Sequence, residues 1–414
     1  MTNLTIWIIS FFAIAGVIIR PFKVPEFVWA LTGAIVLLIA GLISPTEGLN
    51  GASKGTDVYL FLTGMMLLAE TAREEKLFDW LAAHATKMAN GSSVRLFLLI
   101  YLVGVVVTSF LSNDATAVVL TPAVAAAVKA AKVNKPLPYL FICAFIANAA
   151  SFILPISNPA NLVIYGSHMP ALIQWLHTYA LPSAVAVAVT YGMLYLTQLK
   201  NLKQAIESEI TIPTLSTGGK TALIGIAATA AILLISSAFD IQLGLPTAIT
   251  GIVTSAIVII SAKKNPVVVI KGVSWSVLPL VAGLFVIVEA LGKTGLIQNI
   301  STLLQQSLAH SLNGTVWAGG IITAFSCNLM NNLPAGLIAG NAVQAGHVPA
   351  MVKSAILIGI DLGPNLSITG SLATILWLVA LRREGITVSA WSFLKLGFIV
   401  MTVALLCTLG ALWV

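Results

Sequence analysis

Two aspartates, Asp114 and Asp361, lie inside apolar runs, where a carboxylate is costly unless it is protonated, paired or wet. A carboxyl that takes up and releases a proton at such a depth is a candidate proton carrier. The structural alternative is an aspartate that caps a half-helix N-terminus and stays ionised there. Both residues belong to polar interruptions of a kind that lipid does not tolerate, because helix-breaking Asn, Pro and Gly leave backbone groups unpaired. Two interruptions read as hairpin tips, SNDATAVVLTP (112–122) and CNLMNNLPAGLIAG (327–340). Two read as broken helices, ILPISNPANLVIYG (153–166) and DLGPNLSITGSLATILW (361–377). At such breaks, half-helix N–H groups, amides and hydroxyls converge near the membrane midplane. A site of Asn, Ser and Thr with few charges suits a small, neutral or weakly charged, hydroxyl-bearing solute. A polyanion would require inward Arg or Lys.

Other reactive residue types carry less. The histidines His84, His168, His177, His310 and His347 show no metal-ligand spacing, and no metal or cofactor is expected. The string GGKT at 218–221 imitates the end of a phosphate-binding loop, but Thr214 stands where that motif needs glycine and no strand precedes it. Cys143, Cys327 and Cys407 are widely spaced in apolar segments and form neither a disulfide framework nor a CxxC site. Cys327, four residues before Asn331, is a minor candidate for contact with a solute. Glu70 and Glu289 are read as interfacial, since charged residues follow closely after both. No HExxH or paired-aspartate motif supports an enzyme.

The elements that position these residues follow from composition. The chain is 58% hydrophobic and 8% charged, against about 25% charged in an ordinary soluble protein. Its mean hydropathy is +1.00, and apolar stretches near the bilayer-spanning length of about 20 residues follow one another along it. The expectation is an all-α polytopic membrane protein, since barrel strands would alternate every second residue. The net charge of +7 is read as basic loops rather than as a nucleic-acid surface. The first apolar run lacks a basic n-region and a cleavage site, so it is expected to stay as a membrane helix.

Spanning helices are expected near 4–20, 26–44 and 57–72, followed by an amphipathic stretch at 76–90. Apolar runs at 94–111 and 115–132 meet at Ser112–Asp114, and 137–166 (broken at 155–159) and 179–198 follow. After a polar linker come 221–239, 245–262, 277–292, a second amphipathic stretch at 295–312, and runs at 315–329 and 334–346 that meet at Asn331-Asn332. The last are 350–381, interrupted at Gly363-Pro364-Asn365, and 391–413. The halves match in order: Gly64 to Glu70 repeats as Gly283 to Glu289, and Asn90-Gly91 as Asn313-Gly314. Asn113-Asp114 corresponds to Asn331-Asn332, and Asn148 to Ser157-Asn158 spans the same interval as Asp361 to Gly370-Ser371. This predicts an N-terminal repeat at 1–205, a cytoplasmic linker at 206–220 and a C-terminal repeat at 221–414. Each repeat has about five transmembrane helices, one helical hairpin and one broken helix. Five crossings is odd, so the second repeat is inverted relative to the first. With that topology most Lys and Arg share one face, expected to be cytoplasmic, and only Lys54, Lys293 and Lys353 fall clearly on the other.

The motifs SNDATAVVLTP, SNPANLVIYG, NLMNNLPAGLI and above all IGIDLGPNLSITGSLATILWL resemble the ArsB arsenite/antimonite efflux permeases of the ion transporter superfamily, in consistent order from about residue 60 to 400. The resemblance implies a bacterial inner-membrane exporter of As(OH)₃ or Sb(OH)₃ in exchange for protons. It also implies an elevator-like movement, with or without a soluble ATPase subunit. Carried over by motif, Asn113, Asp114, Ser157, Asn158, Asn161, Asn331, Asn332, Gly370, Ser371 and Thr374 would hold the solute. Asp114 and Asp361 would carry the proton. The chain departs from the family at Asn148, where relatives have an acidic residue, which puts more weight on the two aspartates. A Na⁺/H⁺ antiporter of the same superfamily and a passive metalloid channel are the competing readings.

Overall fold

The computed structural model describes residues 2–166, 169–208 and 210–414; His168 lies outside the described residues. The described chain is helical throughout. The first half comprises α1 (Thr2–Ile19), α2 (Glu26–Ile39), α3 (Pro45–Ser53), α4 (Thr56–Glu74), α5 (Leu77–Ala89) and α6 (Ser93–Phe110). Next, α7 (Asn113–Ala115) runs through a π turn at Thr116–Leu120 into α8 (Thr121–Ala130), before α9 (Leu137–Ala149), α10 (Pro159–Tyr165) and α11 (Leu172–Gln198). After the linker come α12 (Thr217–Ala238), α13 (Gly244–Ser261), α14 (Pro266–Gly272), α15 (Val277–Lys293) and α16 (Leu296–His310). The chain ends with α17 (Leu312–Met330), α18 (Asn332–Gly346), α19 (Ala350–Leu362), α20 (Leu372–Arg383) and α21 (Ala390–Gly410).

Among the described residues, seven spans are long and apolar enough to cross a bilayer. The expected breaks are all present, but α9 already stops at Ala149, ahead of the expected 155–159, and the second gap extends from 363 to 371. Two short helices were also not expected. The predicted span 26–44 ends early at Ile39, and α3 begins at Pro45 behind a Ser44 capping box closed by Glu47. Likewise α14 begins at Pro266 behind the Asn265 cap. A cap followed by proline at the first helical position starts a helix without any apolar periodicity, so a hydropathy reading passes over both. With α3 and α14 included, the element order α1–α11 recurs as α12–α21, α7 and α8 together standing for α18.

Packing exchanges partners between the halves. α4 packs on α13, as α15 packs on α2, while α10 packs on α18 and the π turn packs on α20. Two apolar clusters result, each drawing on both halves. One joins α6, α9, α10 and α11 with α17, α19, α20 and α21. The other joins α1, α2, α4 and α5 with α12, α13 and α15. The return limb of the first hairpin lies on the seam: Ala117, Leu120 and Val124 face the first cluster, while Ala115, Val119 and Ala123 face the second.

The α4–α13 crossing is a backbone contact. A Cβ on Gly64 would strike the Thr247 carbonyl, and one on Gly251 would strike the backbone of Gly64. In lipid, close approach through small residues is a main source of helix association, and backbone cannot give way as a side chain can. Gly64→Leu is therefore expected to lose the monodisperse peak in detergent gel filtration. Gly192→Leu, at a position with nothing within 4 Å of an added Cβ, is expected to keep it.

Candidate functional site

At the seam, a cavity of about 580 Å³, counted to its open side, is bounded by α4, the first hairpin, residues 272–277 and Leu376 of α20. Its charged lining residues are Asp114 and Glu70, with no Lys or Arg among the residues that line it. Ser112 turns the hairpin tip with φ 151 and ψ 165, a region that non-glycine residues rarely occupy. Its hydroxyl accepts from Ala115 N at 3.3 Å, which caps α7. Asp114 then falls in the first turn of that helix, where the N-terminal partial charge favours an anion. Its own N–H donates to Asn113 Oδ1 at 2.9 Å. The π turn follows at once, a feature often found at functional sites.

Glu70 differs from its interfacial expectation. It is 4% exposed and receives two Arg73 hydrogen bonds, Nε to Oε2 at 2.8 Å and Nη2 to Oε1 at 2.5 Å. Glu289 is the more open of the pair and meets Lys54 at 2.6 Å.

Asp361 lies away from that opening and is fully buried. Asn158 Nδ2 donates to its Oδ1 at 2.5 Å, which ties the first broken helix to the second. Its Oδ2 takes no hydrogen bond, since the neighbouring Ser151 hydroxyl donates to Asn148 O at 2.7 Å instead. Asn161 closes the first break from within, donating to Ser151 O and Pro155 O at 2.9 and 3.3 Å. Ser157 donates to Ser109 O at 3.0 Å, which fastens that break to α6. On the other side, Ser371 and Thr374 join Asn148: the Ser371 hydroxyl donates to Asn148 Oδ1 at 3.1 Å, and Asn148 Nδ2 lies 3.4 Å from Thr374 Oγ1.

The second hairpin tip mirrors the first. Asn331 has φ 76 and ψ 153, again the strained region, and its Oδ1 accepts from Leu333 N at 3.3 Å. Asn331 Nδ2 donates to Thr369 O at 3.4 Å, and Asn332 N donates to Gly370 O at 2.8 Å. The tip is thereby stitched to the second broken helix. Of the candidate residues, Asp114 alone lines the cavity; Ser157, Asn158, Asn161, Ser371 and Thr374 are buried in the bonded layer behind it.

Residues 11–359 match the family model described as a citrate transporter, CitMHS. The chain belongs to the CitMHS citrate-transporter family. It is 28% identical to the "Arsenical pump membrane protein" of Escherichia coli K12, covering 93% of this chain and 92% of that one. The corresponding protein of Yersinia enterocolitica is 29% identical over 82% of each chain. The "Putative arsenical pump membrane protein" of Bacillus subtilis is 24% identical over 95% of each. In fold, the chain resembles the crystal structure of the Alcanivorax borkumensis YdaH transporter, with a TM-score of 0.57 over 89% of this chain and 86% of that one, at 15% identity. This member of the family is thus a multi-pass membrane protein.

Of the residues that hold this transporter's breaks together, sequence reading passed over Asn328 and named Asn365 only as part of an interruption. Asn328 Nδ2 donates to Gly363 O at 2.9 Å and its Oδ1 accepts from Ser367 Oγ at 2.6 Å. Asn365 Nδ2 donates to Phe145 O at 3.0 Å and its Oδ1 accepts from Asn148 Nδ2, also at 3.0 Å. A usable signal was that each is an amide within one helical turn of a break. Asn148, where the family resemblance expects an acid, is a joint of this layer rather than an isolated polar group. Asn148→Leu would leave Asn365 Oδ1 without its donor, at about 1–3 kcal/mol for the orphaned group. It would leave the Ser371 hydroxyl only Thr374 Oγ1, at 2.9 Å, as a side-chain partner. A lower melting temperature in detergent than for wild type is the expected result, read by tryptophan fluorescence.

Proposed function

We propose that the chain is a secondary active transporter that exports trivalent metalloid hydroxide, arsenite and antimonite, in exchange for protons. The observation that carries this reading is its whole-length similarity to proteins named as arsenical pumps. The cavity chemistry supports it. Arsenous acid is uncharged at neutral pH and has three hydroxyls, so hydroxyls and carboxyls such as those of Ser112, Ser274 and Asp114 in the cavity wall can hold it without a counter-charge. A tricarboxylate would face Asp114 and Glu70 with no cation in the lining. A three-thiolate cage would bind As(III) too tightly for release, and Cys327 is fully buried, its thiol directed to Ile360 O at 3.7 Å.

In this reading Asn113, Asp114, Ser157, Asn158, Asn161, Asn331, Asn332, Gly370, Ser371 and Thr374 form the solute's path, and Asp114 and Asp361 take up the returning proton. Coupling requires that solute and proton favour different states of the carrier. The two apolar clusters, with both hairpin tips near their seam, supply an elevator-like pair of bodies. Repeats 1–205 and 221–414 are inverted about the linker 206–220, and the basic loops face the cytoplasm of a bacterial inner membrane. A soluble ATPase subunit is an optional partner on that side.

Arsenite uptake into everted vesicles tests the proposal. Exchange of one proton for one neutral solute gives about tenfold accumulation per unit of ΔpH. It also moves charge, so a potential alone should drive accumulation, at about 2.3 kcal/mol per 100 mV. Sodium-dependent, arsenite-independent proton movement would replace this reading with the antiporter. Arsenite flux insensitive to both gradients would replace it with a channel.

A further inference from the structure

The seam opens a second time along α20, whose Leu376 lines the carboxyl cavity while Ile375 lines the second opening. A groove of about 1220 Å³, counted to its open face, runs between the end of α1 and the length of α20. Four cations stand on it: Arg20 and Lys23 from the α1–α2 connection, and Arg382 and Arg383 from the last turn of α20. Arg20 is matched by Glu26 at 3.0 Å. No described carboxylate pairs with Lys23, Arg382 or Arg383, and the adjacent Glu384 is exposed without an ion pair. Like charges gathered in this way repel one another unless an anion joins them.

The remaining wall is apolar. Ile19, Ile375, Leu378 and Val379 line the groove, and it extends inward as far as Ile368 and Thr369. From Arg383 back to Leu372, α20 has 12 residues, or about 18 Å of helix, so the groove leads from a basic rim toward the level of the broken-helix loop. Ile19 and Phe22 beside it are 72% and 93% exposed, as befits side chains facing lipid.

We propose that this groove binds one anionic phospholipid, its phosphate among Lys23, Arg382 and Arg383 and an acyl chain along α20. Basic clusters between membrane helices are fitted to such headgroups, and a soluble anion would have no use for the long apolar wall. The occupant would bridge the two apolar clusters, since Ile18 adjoins the α1 cluster and Leu378 belongs to the α20 cluster. It would also brace the loop whose Thr369 is bonded to Asn328 and Asn331 of the second hairpin tip. The site is independent of what the protein transports.

The test uses the purified full chain, stripped of lipid in neutral detergent. Native mass spectrometry and thermal melts are run with dioctanoyl phosphatidylglycerol, dioctanoyl phosphatidylcholine and inorganic phosphate. Phosphatidylglycerol is expected to add as one saturable molecule per chain and to raise the melting temperature. Phosphatidylcholine should bind at least tenfold more weakly, and phosphate at the same concentration should do nothing. The variant Lys23→Gln/Arg382→Gln/Arg383→Gln should weaken phosphatidylglycerol at least tenfold. Val379→Trp, which fills the groove and keeps every charge, should weaken it as well and gives the readout if the charge variant does not fold. Lys200→Gln/Lys203→Gln, on exposed lysines elsewhere, should leave binding unchanged. Protection by phosphate equal to that by phosphatidylglycerol, wild-type binding in the groove variants, or equal loss in the Lys200/Lys203 control would each overturn the proposal.

Discussion

Asp361→Asn is expected to reduce gradient-driven arsenite accumulation in everted vesicles to the level of vesicles without the protein, while the purified variant melts no lower than wild type. The two halves of this expectation come from one site. Asp361 is fully buried, accepts from Asn158 Nδ2 at 2.5 Å, and leaves Oδ2 without a hydrogen bond. An asparagine keeps the shape and can still accept from Asn158 through its own Oδ1, so the joint between the broken helices survives. An ionisable group with a bare oxygen inside protein is a cost to folding, and a neutral amide does not increase it. Stabilising replacements that abolish activity mark residues kept for function. Because the amide cannot carry a proton, accumulation falls from about tenfold per unit of ΔpH to none. A variant that still accumulates arsenite would remove Asp361 from the coupling path. One that melts well below wild type would make it a structural joint instead.

The same joint shows how much of the site was legible in the sequence. Breaks at 112–114, at 155–159, at Asn331-Asn332 and at Gly363-Pro364-Asn365 could be read from helix-breaking residues in apolar runs, since lipid permits them only in special surroundings. The structure opens the two broken helices more widely, at 150–158 and 363–371. Asp114 and Asp361 stood out for the same reason. The partner of each group was not legible. That Asn158 meets Asp361, or that Asn148 meets Asn365 and Ser371, depends on α9 and α10 crossing α19 and α20 from the other half. Spacing along one helix carries no such information. Glu70 was read as interfacial because charges follow it, yet the turn of helix to Arg73 folds both into one ion pair and buries the carboxylate at the cavity wall. The short helices α3 and α14 escaped because a cap and a proline, rather than hydropathy, define them.

Asp114→Asn should have a different signature, because Asp114 lines the open cavity and Asp361 does not. If a proton and arsenous acid compete at Asp114, half-saturation of the wild type by arsenite on the cytoplasmic side should fall as cytoplasmic pH rises. Deprotonation frees the carboxylate to accept from the solute's hydroxyls, and by linkage the bound solute disfavours the proton to the same degree. An amide at this position still accepts one hydrogen bond and cannot be protonated in this range. Half-saturation in the variant should therefore be flat with pH, and accumulation under a gradient at least tenfold lower. Arsenite–arsenite exchange without a gradient should persist, since the hairpin tip is held by Ser112 and by the Asn113 amide rather than by the Asp114 carboxylate. Asp114→Glu, which restores a titratable group in the same cavity, should recover part of the pH dependence. The decisive comparison is the slope of half-saturation against cytoplasmic pH. An unchanged slope in Asp114→Asn would assign the competing proton elsewhere, and Glu70 across the cavity would then be the group to replace next.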